Sequence, residues 1–126
     1  SVKFIYTVGG FHTTRIIRDA PKAFITTTSQ ELSKQLEKMD VSMTPSRSVI
    51  TGFNGLILGY AKQNDIYGIG LYGELADPSI PQYRAAKSIV KTLEKLTYQS
   101  FGSTDELDMM ASDIDKKMRS DWKVDY

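Results

Sequence analysis

The stretch from Ile66 to Leu96 constrains the fold most. Its first part, IYGIGLY at 66–72, carries no charge and no alternation of polar and apolar residues, so a strand made from it needs cover on both faces. Its last part, from Gln82 to Leu96, places Ala86, Ile89, Val90, Leu93 and Leu96 on one helical stripe, with Lys87, Lys91, Glu94 and Lys95 outside it. A doubly covered strand followed by a helix with one apolar face is the repeating unit of an α/β domain. The remainder of the chain supplies more of the same. Val2 to Val8, ended by Gly9-Gly10, the run AFITTTS at 23–29, and Ser48 to Thr51 read as further strands. Thr28 with Glu31 forms a capping box for a helix carrying Leu32, Leu36 and Met39 on one face. Leu56 to Lys62 is apolar nearly all round, and helix is the assignment made for it. Ser103 with Glu106 opens a last helix striped by Leu107, Met110, Ala111, Ile114 and Met118. The order strand, strand, helix, strand, helix, strand, helix, helix predicts a single α/β domain over residues 1–126 with a mostly parallel sheet.

Composition narrows the function classes. Sixteen Lys and Arg against fifteen Asp and Glu give no basic field for nucleic acid or an anionic membrane. The absence of cysteine removes disulfides, thiolate nucleophiles and Cys-based zinc sites, and one histidine cannot form a His cluster. No apolar run approaches the roughly 20 residues of a membrane span. A cytoplasmic protein with no nucleic-acid or membrane partner, no metal and no cofactor is expected. The chain opens on Ser1 with a strand following at once, which reads as a part of a longer protein.

The segment SVITGFNGLILGYAKQND at 48–65 raises a choice between phosphate binding and tight packing. Backbone N–H groups at a strand-to-helix turn attract phosphate, but Gly52-x-x-Gly55-x-x-x-Gly59 is neither G-x-G-x-x-G nor a P-loop. The structural reading is preferred: Gly52 and Gly55 permit a sharp turn, and Gly59 permits close approach of helix to sheet. A small pocket lined by Thr51, Gly52, Asn54, Gly55 and Glu74 at the strand ends is the ligand-binding alternative. His12, in GGFHTT, reads as a solvated loop residue rather than a general base, having no partner set in the sequence. Glu74 and Asp77 fall just past the fourth strand, where catalytic carboxylates often lie, but read as turn residues of a proline-bearing loop. Met109, Met110 and Met118 read as core filling, with an adaptable partner surface as the alternative. No nucleophile, metal cluster or acid–base pair amounts to a catalytic site, so the chain leans away from an enzyme.

Gly52-Phe53-Asn54-Gly55-Leu56 and the box Leu71-Tyr72-Gly73-Glu74, with Pro81 and the paired Ala85-Ala86, resemble the archaeal members of the second type of proteasome assembly chaperone family. FIYTVGGFHTT and AFITTTSQEL are similar to that family's preceding segments, so the likeness spans most of residues 3–115. Pro81-Gln82 stands where many relatives carry an acidic residue. The family's members are about twice as long, and this sequence resembles their C-terminal half. The resemblance implies a three-layer, phosphorylase-like α/β fold, some members being described as ATP-grasp-like, and a non-enzymatic domain that binds other proteins. It implies proteasome core subunits as partners and a homo-oligomer; the alternative is a nucleotide- or nucleoside-binding protein or enzyme on the same fold. Some proteasome-binding proteins end in hydrophobic-Tyr-any residue, and Val124-Asp125-Tyr126 resembles that tail one position out of register. Trp122, Val124 and Tyr126 are therefore candidate partner contacts, with Trp122 packing back on the domain as the bland alternative.

Overall fold

The computed structural model describes residues 3–14, 16–17, 20–44 and 52–122, the last three as backbone only. Among the described residues the elements run in the order β1 (Phe4–His12), β2 (Ala23–Thr27), α1 (Gln30–Glu37), β3 (Ser42–Met43), α2 (Gly52–Gln63), β4 (Tyr67–Leu75), α3 (Tyr83–Thr97) and α4 (Asp105–Trp122). The strands form one sheet in the order β1-β4-β2-β3. β4 is therefore central, as its unbroken apolar sequence requires, and is buried from Gly68 to Glu74.

The sheet is mixed rather than mostly parallel. β1 runs parallel to β4 and β2 parallel to β3, but β2 runs antiparallel to β4. Period-2 burial cannot distinguish the two directions, because a doubly covered strand reads alike in either. The expected strand at Ser48–Thr51 lies outside the described residues, and the third strand observed is β3.

Helices cover both faces. Ile69 and Leu71 of β4 and Ile25 of β2 form a buried cluster with Leu36 of α1, flanked by Leu32, Ile89, Leu93 and Leu96. This is the α1/α3 face. On the opposite face, a Cβ at Gly68 would lie 3.0 Å from Leu58 and 3.4 Å from Ala61 of α2, so this glycine is what lets α2 seat on the sheet. Gly73 does the same for α3, its absent Cβ falling 3.1 Å from the Ala85 carbonyl. The close approach expected at Gly59 is not made there: nothing lies within 4 Å of its Cβ position. α4 packs outside α3, tied to it by Arg84–Asp115 at 2.6 Å and Lys87–Asp108 at 2.9 Å.

Several boundaries shift for identifiable reasons. β1 continues through Gly9-Gly10 to His12, which ends the strand as an exposed residue rather than sitting in a loop. The α1 cap is Ser29, which accepts from Leu32 N, because the Thr28 hydroxyl is engaged by Gly68 N at 2.9 Å. Ser103 does accept a backbone N–H at the entrance of α4, from Asp105 at 3.1 Å, as an ST turn. The Leu-x-Gly-Glu box is the end of β4, so Glu74 lies inside the strand and not past it. No helix of the described residues is long and apolar enough to cross a membrane.

Candidate interaction surface

α2 begins at Gly52, whose φ of +79° is the left-handed conformation that glycine adopts without cost. Gly55 therefore belongs to the second turn of a helix and not to a bend before it, and among the described residues only Gly52 and Gly102 are positive-φ glycines. Asn54, in the first turn of α2, donates its Nδ2 to Val8 O of β1 at 3.0 Å. Gly9 leaves room for it: a Cβ there would stand 3.1 Å from Nδ2. Glu74 is fully buried; its Oε1 accepts Lys22 N at 2.8 Å while its own N–H donates to Lys22 O at 2.9 Å. This closes a ring that pins the entry of β2 to the end of β4. Asn54 and Glu74 thus both bind backbone of their own chain. Gly55 lines a shallow cavity of about 190 Å³ with Thr26, Thr28, Leu58 and Lys62, which neither Asn54 nor Glu74 lines. Thr51 lies outside the described residues, as do Val124 and Tyr126, and Trp122 is described only as the last residue of α4.

Several carboxylates elsewhere have local partners. Asp77 takes hydrogen bonds from the Ser79 hydroxyl and N–H, which hold it below the usual carboxylate range. Asp115 is held low first by its hydrogen bond to the Arg84 guanidinium, an exposed pair on the α3–α4 flank. Among the described residues no three His, Cys, Asp or Glu side chains gather where they could hold a metal ion. A cavity of about 350 Å³ opens between α3, α4 and the segment before β2, lined by Ile17, Pro21, Ile80, Tyr83, Ile114 and Met118. Its walls are polar and apolar in nearly equal measure, the polar part including Gln82 and the Arg84–Asp115 ion pair, whose charges are spent on each other.

What the surface does present is apolar side chains in rows. Phe53, Leu56 and Tyr60, at i, i+3 and i+7 on α2, are 60–75% exposed, while Leu58 and Ala61 on the other side of the helix are buried. The sequence carried this signal: α2 is apolar nearly all round, and the sheet takes only one side. On the α1/α3 face of β1, Phe4, Tyr6 and Val8 form a second row, with the Phe4 ring stacked on Tyr67 at 5.3 Å. A third group, Met109, Met110 and Met118 on α4, is also exposed, so these methionines are not buried core filling. Contiguous exposed apolar side chains are a more frequent feature of macromolecular contacts than of the rest of a protein surface.

Comparison with known proteins places this architecture. The chain is 37% identical over 97 residues to an uncharacterised protein of Methanocaldococcus jannaschii, a match covering 74% of this chain and 35% of that one. Its fold is similar to Pyrococcus furiosus PbaB, an archaeal proteasome activator, with a TM-score of 0.82 at 23% identity, covering 96% of this chain and 51% of that one. It is similar also to Pyrococcus furiosus PbaA, an archaeal homolog of proteasome-assembly chaperone, with a TM-score of 0.80 at 24% identity, covering 94% and 48%. The chain spans about half the length of these structures. The sequence model of the PAC2 family matches residues 1–120, and the chain belongs to the PAC2 family.

Proposed function

We propose that this domain is a non-enzymatic protein-binding module of the proteasome-assembly-chaperone kind, acting in the cytoplasm, whose partners are proteasome core subunits. The observation that carries the reading is the α2 stripe of Phe53, Leu56 and Tyr60: a helix that has already used one side on the sheet and still presents large apolar side chains outward. Exposed aromatic and aliphatic anchors at i, i+3 and i+7 are how a helix engages a groove on another protein. Membership of the PAC2 family and the PbaA and PbaB likeness supply the class of partner. Asn54 and Glu74 hold strands in place for that surface instead of holding a ligand.

The test is capture of purified archaeal proteasome core particle by the immobilised domain. Leu56→Asp, at a side chain 73% exposed, is expected to abolish capture without lowering the melting temperature. Deletion of residues 122–126 is expected to leave capture intact; loss on deletion alone would move the anchor to the tail at Trp122, Val124 and Tyr126. Wild-type protein that fails to bind core particle, but gains several degrees of melting temperature with a nucleotide or nucleoside, would replace this reading with the small-molecule one.

A further inference from the structure

We infer that α2 is a releasable helix, one that lifts from the sheet by local opening while β4, α1 and α3 stay folded. The two faces of the sheet differ in what they offer a covering helix. Toward α1 and α3 the strands project Ile25, Ile69 and Leu71, and Ile89, Leu93 and Leu96 pack against that cluster. Toward α2, β4 projects Gly68, Gly70 and Tyr72, while β1 adds Thr7 and Gly9 and β2 adds Thr26. α2 correspondingly buries only Leu58 and Ala61. Among the described residues its side chains make one hydrogen bond to the sheet, from Asn54 to Val8 O. α3 is anchored at more points: Ser88 Oγ donates to Pro21 O, Lys95 Nζ donates to Asp40 O at 3.0 Å, and the Arg84 and Lys87 ion pairs hold it to α4.

The seat under α2 also carries a cost. Thr7 and Tyr72 are 5% and 7% exposed, and Thr7 Oγ1 and Tyr72 OH have no hydrogen-bond partner in the protein. The Tyr72 ring lies 3.3 Å from the Cβ position of Gly9, and its hydroxyl stands 3.0 Å from that of Gly70, the residue that pairs with Thr7. Gly9 meets Asn54 at one end of α2 and Gly68 meets Leu58 and Ala61 at the other, so the rung holding both hydroxyls lies beneath the helix. A buried hydroxyl without a partner favours any state in which water reaches it. The helix itself is weak at Gly59, which has nothing within 4 Å of its Cβ position. Relative to alanine this glycine disfavours the helix about two- to fivefold and gains no packing in return. Release therefore uncovers little apolar surface and hydrates two hydroxyls, and the stripe of Phe53, Leu56 and Tyr60 is carried on a helix whose seating can adjust. The inference concerns how α2 is held and stands whether or not that stripe binds core particle.

Hydrogen exchange of the 126-residue chain, followed by mass spectrometry, reads release directly. Amides at 56–63 in α2 should exchange at least about tenfold faster than those at 87–97 in α3, and at rates insensitive to low urea, because a local opening exposes little surface. Gly59→Ala, whose methyl meets no atom, should slow α2 exchange about two- to fivefold and leave β4 and α3 unchanged. Tyr72→Phe keeps the ring over Gly9, removes one unpartnered hydroxyl, and should slow α2 exchange about fivefold or more. Three results would overturn the assignment. They are α2 amides protected as well as those of α3, a Gly59→Ala effect shared equally by β4, and faster α2 exchange in Tyr72→Phe, which would mean that the hydroxyl helps to hold the helix down.

Discussion

Replacing Glu74 by alanine separates a strand anchor from a ligand contact. The wild-type carboxylate accepts Lys22 N at 2.8 Å from a fully buried position. Leaving the part-buried Lys22 N–H without its acceptor costs about 1–3 kcal/mol. Loss of the buried stem adds about 0.8 kcal/mol per methylene. Partial relaxation of the surrounding structure offsets some of this, which leaves a net cost of about 2–3 kcal/mol. An unfolding entropy of about 2.1 cal/mol/K per residue makes each kcal/mol worth about 4 °C in a chain of this size, so Glu74→Ala should melt about 8–12 °C lower by calorimetry. Glu74→Gln retains Oε1 as an acceptor for Lys22 and should lose less than half as much. If Glu74→Ala melted within about 2 °C of wild type, the ring with Lys22 would not be what the carboxylate is for, and the ligand-binding role would regain its case.

Two further substitutions probe packing and charge. Gly73→Val drives a branched side chain into the Ala85 carbonyl, 3.1 Å from the Cβ position, and should cost about 3 kcal/mol or more, read as a melting temperature lower by at least about 12 °C; an unchanged melt would mean that α3 seats elsewhere. Asp115, held low by Arg84, contributes stability that is present above its unfolded pKa near about 4 and lost as pH falls through the folded value. The urea midpoints of wild type and Asp115→Asn should therefore differ at neutral pH and converge in strong acid, and a gap independent of pH would show that the pair does not act through charge.

The helices and central strand were legible because each carries its period in side chains that the fold uses as the pattern implies. α3 follows the stripe of Ala86, Ile89, Val90, Leu93 and Leu96 almost to the residue, and β4 contains the uncharged run from Tyr67 to Tyr72. The direction of β2 was not legible, because Ala23 to Thr27 buries alternate residues identically whichever way the strand runs. The glycines misled for a related reason. Gly59 sits at helical spacing from Gly55, yet the absent Cβ atoms that admit the helices belong to Gly68 and Gly73 in the sheet, and no one-dimensional spacing says which partner yields space. At the candidate site, Asn54 and Glu74 were candidates because they fall at strand ends, where α/β sheets hold ligands, but that position marks a structural hydrogen bond as readily as a ligand contact until the acceptor or donor is seen.

The central position of β4 has a kinetic consequence. Every rung of the β1–β4 ladder joins the first dozen residues to residues 67–75, and β2 too reaches the sheet only through β4. Neither strand can pair with β4 until the chain has been synthesised through Leu75 and has closed those loops, and of its described neighbours β2 has only the two-residue β3 before then. Non-local pairing of this kind slows folding, since chain entropy is lost before any long-range contact compensates. A nascent chain emerging from the ribosome would therefore hold β1 without β4 for the whole interval. That interval is when aggregation competes with folding, and slowing translation between β1 and β4 should lower the yield of folded protein.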